Sequence, residues 1–137
     1  MNAIDQLRRL AAHQDRNARL ALAQAEQARA VQQATLEESA STLQRALASP
    51  SEGANDELTR HTFALRAEMV RRGAERRLLE RQREVNRRQD AMRVAAREKG
   101  TLDRLIERRD DAQGREAAQR EQRGLDEAGI TGWWRQN

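Results

Sequence analysis

Cysteine is absent from the 137 residues, so the chain has neither a disulfide framework nor a thiolate metal site. That suits the cytoplasm. Pro50 is the one proline, and tyrosine does not occur. Phe63, Trp133 and Trp134 are the only aromatic residues. With 37% hydrophobic residues, many of them alanine, the chain lacks the bulk for a thick core. No run approaches the roughly 20 apolar residues that span a bilayer. The opening MNAIDQLRRL holds no apolar stretch of the kind a secretory signal needs. A soluble intracellular protein is expected.

What is present is helix-forming. Charged residues make up 35%, and Ala, Glu, Arg, Gln and Leu dominate. Such straight-chain residues lose little freedom in a helix. From Leu58 to Leu125 there is no proline. Leu58, Leu65 and Leu79, and then Leu78, Val85, Met92 and Ile106, fall on steps of seven or fourteen. A seven-residue apolar repeat is the seam of a coiled coil. A helix of that length is roughly 100 Å long. A disordered chain would not keep such a register.

The spacing predicts an all-α fold, with two long unequal helices in an antiparallel coiled-coil hairpin. Residues 2–48 read as the first helix. Asn2 caps it, and Asp5 stands in its first turn. Ile4, Leu7, Ala11, Ala18, Ala21, Ala25 and Ala28 form its seam. Near Val31 the register slips, and Leu36, Leu43 and Leu47 continue on a shifted frame. Residues 49–56 are the turn, marked by Ser49, Pro50, Ser51 and Gly53. Asn55 caps the next helix, with Asp56 and Glu57 in its first turn. So short a connection makes the helices antiparallel neighbours. The long helix then runs over 57–127 and stays continuous across Gly100, since Met92 and Ile106 keep phase. If the hairpin folds about residue 52, Ile4 lies beside residue 100, and residues 101–127 overhang. Gly124, Gly129 and Gly132 end the helix, leaving 128–137 as a tail with Trp133 and Trp134. The whole chain, 1–137, reads as a single coiled-coil hairpin.

The net charge is +4, with Lys99 the one lysine among 26 basic residues. Residues 58–100 hold 13 basic against 6 acidic groups, whereas 101–137 hold 7 against 8. The Arg-rich run 71–97 suggests either a solvated face or a docking face for an acidic protein. A nucleic-acid reading ranks behind these, because Glu75, Glu80, Glu84 and Asp90 interrupt the run and no clean zipper follows it. Glu68 with Arg72, Glu84 with Arg88 and Glu116 with Arg120 stand four apart and support helicity.

No catalytic constellation is found. His13 and His61 lie in different arms with no second metal ligand beside them. No phosphate-cradling glycine loop occurs. No enzyme activity, cofactor, metal or small-molecule substrate is expected.

The opening IDQLRRLAAHQDRNARLALAQAE, the short turn near position 50 and the closing run carry a resemblance. In that run Arg115-Glu116 is followed by Gln119-Arg120-Glu121-Gln122 and then Leu125-Asp126-Glu127. With the unequal helices, these features resemble the FliJ-like flagellar and YscO-like injectisome stalk proteins of type III export. Trp133-Trp134 and the glycine-rich tail depart from the general pattern. The resemblance implies a non-catalytic protein at the inner-membrane secretion apparatus. Its end bearing both termini enters the ring of a hexameric export ATPase and promotes assembly of the ring. Its turn end faces an export-gate membrane protein, and some members also handle export chaperones. Carried onto this chain, Ile4, Leu7, Arg8, Arg9, Arg108, Arg115, Glu116, Arg120, Gln122, Leu125 and Asp126 face the ATPase. Leu36, Leu43, Leu47, Phe63 and Val70 lie towards the gate. A generic coiled-coil adaptor or export chaperone is the alternative reading.

Overall fold

Asn2 caps the first helix as expected. Its side-chain Oδ1 accepts a hydrogen bond from the Asp5 backbone N–H at 2.8 Å. The structure, a computed structural model, describes residues 2–48, 50 and 53–136. Helix α1 spans Ala3–Ala48 and helix α2 spans Ala54–Gln136, which are 46 and 83 residues long. No strand occurs among the described residues. The chain is thus all-α, with two unequal helices packed as an antiparallel coiled-coil hairpin. They contribute to two compact units, Met1–His13 with Ala96–Asn137 and Gln14–Ala95.

Two boundaries differ from expectation. Helix α2 begins at Ala54, so Asn55 stands inside the first turn instead of capping it. Gly53 takes that place, and its carbonyl accepts the Glu57 N–H at 2.9 Å. The expected turn residues Ser49, Ser51 and Glu52 lie outside the described residues. The second correction concerns the tail. Helix α2 does not stop near residue 127 but continues through Gly124, Gly129 and Gly132 to Gln136. A glycine in a helix costs about 1 kcal/mol against alanine. That penalty is spread over nine residues here, while each further residue still closes a backbone hydrogen bond. The helix also passes Gly100 unbroken.

In the Gln14–Ala95 unit the α1 seam follows two parallel heptad lines. One holds Ala18, Ala25, Gln32, Ser39 and Ala46, and the other Asp15, Leu22, Arg29, Leu36 and Leu43; all are buried or half-buried. The lines run through position 31 without interruption, so the expected slip does not occur. Val31 and Leu47 are exposed. Polar side chains hide the register from an apolar reading. Gln32 Nε2 donates to the Ala74 carbonyl at 3.3 Å, and Arg29 Nη1 donates to Gln82 Oε1 at 3.2 Å. Asp15 is only 4% exposed, and its Oδ2 accepts from Arg19 Nε at 3.1 Å.

The α2 side of this unit carries Ala64, Arg71, Leu78, Val85 and Met92 on one heptad line, with Ala67 and Ala74 beside it. The expected inward residues Leu78, Val85 and Met92 do face α1. Val85 is the one large side chain that is fully buried among the described residues. Leu58, Leu65 and Leu79 share the heptad step but are exposed. Leu65 and Leu79 each stand one residue past a covered seam position, and one residue turns a helix by about 100°.

In the other unit Ala11 is buried, and Ile4, Leu102, Asp103, Ile106 and Arg109 are half-buried. Arg8 Nε stands 3.9 Å from Asp103 Oδ1. Cover therefore reaches Arg109, and the uncovered length begins at Asp110 instead of residue 101. Every residue from 110 to 131 is exposed.

Candidate partner interface

The charge-rich end of α2 is built from residues that a helix presents without cover. Arg108, Arg115, Glu116, Arg120, Gln122, Leu125 and Asp126 are all exposed. Several of their polar groups are satisfied along the helix. Arg120 Nη2 lies 3.7 Å from Glu116 Oε2, and Gln122 Nε2 donates to Asp126 Oδ1 at 3.2 Å. Such exposed pairs contribute about 0–1 kcal/mol each. They support the helix and exchange readily with a partner. The heptad lines that half-bury Ile106 and Arg109 run on through Gln113, Glu116, Arg120, Arg123 and Glu127. From Asp110 to Glu127, then, the would-be seam is polar and charged and does not invite a second apolar helix; the same lines turn apolar only at Ile130 and Trp134.

The α1 residues expected at this end divide. Leu7 and Arg9 are exposed, Ile4 is half-buried, and Arg8 is engaged with Asp103. Those expected towards the gate divide as well. Leu36 and Leu43 are half-buried in the seam, whereas Leu47, Phe63 and Val70 are exposed. Phe63 and Val70 line one shallow groove with Glu38, Ser39, Thr42, Arg66 and Ala67.

An apolar stripe escapes the sequence reading as a surface. Leu58, Leu65, Met69 and Leu79 are exposed on α2, with Arg72 and Arg76 between them. Met69, Arg71, Arg72, Glu75, Arg76 and Leu79 line a groove there. The leucine spacing carries the signal, but it points to the side of the helix away from α1.

Acidic residues pin the arginines of this region. Arg71 Nη2 lies 2.7 Å from Glu68 Oε1, its Nη1 lies 3.2 Å from Glu75, and Arg72 Nε lies 2.9 Å from Glu68. The Arg71 hydrogen bond, then that from Arg72, holds the Glu68 carboxyl at about 2, well below its ordinary 4.5. The same bond raises the Arg71 guanidinium above its ordinary value. Glu84 is lowered in the same way by Arg87 first and then Arg88, which stands 2.8 Å away. Arg71, Arg72, Arg87, Arg88 and Arg93 are therefore held along the helix by acidic neighbours, which interrupts the basic face. No cluster of His, Cys, Asp or Glu among the described residues could hold a metal ion, and His13 and His61 are both exposed.

No described helix is long and apolar enough to cross a membrane. The chain matches the family described as Flagellar FliJ protein over residues 1–137. It belongs to the FliJ family. No curated protein and no solved structure matches it significantly. FliJ membership makes the chain an export-related flagellar protein.

Proposed function

We propose that this FliJ-family chain is the non-catalytic stalk of the flagellar export ATPase. In this reading the end of α2, with Leu7 and Arg9 of α1, enters the hexameric ring. There it promotes ring assembly and hydrolysis. The observation that carries the reading is the uncovered helix from Asp110 to Thr131. An isolated exposed helix is marginal in water and gains order from a surrounding partner. Its charges, three arginines against six acidic residues, make only weak exposed contacts, which suit an interface that must shift without sticking. In the Gln14–Ala95 unit Leu47, Phe63 and Val70 offer exposed apolar groups to the export-gate membrane protein, while Leu36 and Leu43 hold the helices together. The stripe of Leu58, Leu65, Met69 and Leu79 is a face for a helix of an export chaperone. The protein then works in the cytoplasm against the inner-membrane apparatus.

Purified chain added to the export ATPase should raise its specific activity and lower the concentration at which the hexamer forms. Charge reversal at Arg115 and Arg120 together should reduce the stimulation severalfold. An ATPase whose activity, assembly and sedimentation ignore the chain would sink the reading.

A further inference from the structure

The uncovered length of α2 is uneven. From Asp110 to Gly124 it exposes no apolar side chain larger than alanine. Then Leu125, Ile130, Trp133 and Trp134 are 63%, 59%, 57% and 69% exposed. The two indoles meet edge to face, with ring centroids 5.1 Å apart and planes at 84°. Ile130 stands one helical turn before Trp134. Aromatic pairs of this kind bury large area at low entropic cost, and Trp dominates binding hot spots.

We infer that Ile130, Trp133 and Trp134 form an apolar anchor that seats in a hydrophobic pocket of the export ATPase ring, a proposal that rests on the stalk reading above. Three observations select this occupant. The anchor continues the interface proposed for Arg115 to Asp126 on the same uncovered helix. Its local charge is balanced, Asp126 and Glu127 against Arg123 and Arg135, so it lacks the basic cluster that draws anionic lipid or nucleic acid. Pairing with a second copy along the adjoining heptad lines would bury Glu116, Arg120, Arg123 and Glu127, at a desolvation cost. What remains is an apolar protein pocket. The charged shaft then contributes orientation, and the tip contributes holding strength.

The full chain carrying fluorotryptophan reports on its own two indoles by fluorine NMR. Adding the export ATPase should move or broaden both resonances. The W133A/W134A variant should keep its helicity and need about tenfold or more chain for half-maximal stimulation. Because the contact is apolar, that difference should change little with salt, unlike the effect of Arg115 and Arg120. Unmoved resonances, with stimulation by the variant at wild-type concentrations, would overturn the anchor and leave the stalk standing. Failure of the wild-type chain to bind the ATPase at all would remove the stalk reading and the anchor with it. Resonances that move on concentrating the chain alone, with a doubled mass by light scattering, would assign the tip to a second copy. A response to anionic vesicles without ATPase would assign it to a membrane. Either of these last results overturns the proposal.

Discussion

Glu68 shows how single residues hold this protein. One carboxylate receives Arg71 and Arg72 from the next turn, at 2.7 and 2.9 Å. Its folded value, about 2, lies below the ordinary 4.5, so its contribution is complete above pH 4.5 and is lost as pH falls towards 2. The melting temperature of wild type should exceed that of Glu68→Gln at neutral pH, and the gap should close on acidification through that window. A gap that stays constant with pH, followed by circular dichroism, would show that the cluster does not bind in this way. The i,i+4 partner Arg72 was legible from the sequence, but Arg71 was not. Its position on the seam line suggested nothing about which side its guanidinium would take. Leu78, Val85 and Met92 were legible as inward residues, since large apolar groups seven apart gain most by lining a covered seam. Leu65 and Leu79 were misassigned by the same rule, because a heptad step fixes a face without saying which face.

At the scale of the element, the α1 seam was the harder part to read. Its lines hold Gln32, Ser39, Arg29 and Asp15, so the apolar residues alone suggested a slip that the packing does not contain. Small and polar seam residues leave the register to hydrogen bonds such as Gln32 to the Ala74 carbonyl. The end of α2 was misread for another reason. Glycine marks helix ends statistically, yet its cost is about 1 kcal/mol, too little to break a helix that has no competing partner. Gly114 and Gly124 make this testable, because an added Cβ would meet nothing within 4 Å. Gly114→Ala and Gly124→Ala should each raise helicity and stabilise this stretch by about 0.5–1 kcal/mol. Unchanged or reduced helicity in the double variant would mean that the segment is not helical in the free chain.

Across the whole molecule, stability is graded along the chain. The Gln14–Ala95 unit contains Val85 and the buried alanines Ala64, Ala67 and Ala74, whereas residues 110–131 are exposed throughout. Local opening follows buried contact, so amide exchange should be slowest around Ala64 to Val85 and fastest, within the helices, from Asp110 onward. Equal protection along α2, measured by hydrogen–deuterium exchange, would contradict this grading. That an overhang existed was legible from the unequal arm lengths. Its start at Asp110 was not, since that depends on contacts such as Arg8 with Asp103. The same bare length governs how the chain survives around proteases. Arg115, Arg120 and Arg123 stand on helix that opens at little cost, and cleavage of a transiently opened segment tracks that cost. An arginine-directed protease would therefore sever the tip before it touched the paired region, and the cut would carry off both tryptophans. Occupancy by a partner would close those sites, so the intact tip persists longest in the molecules that are in use.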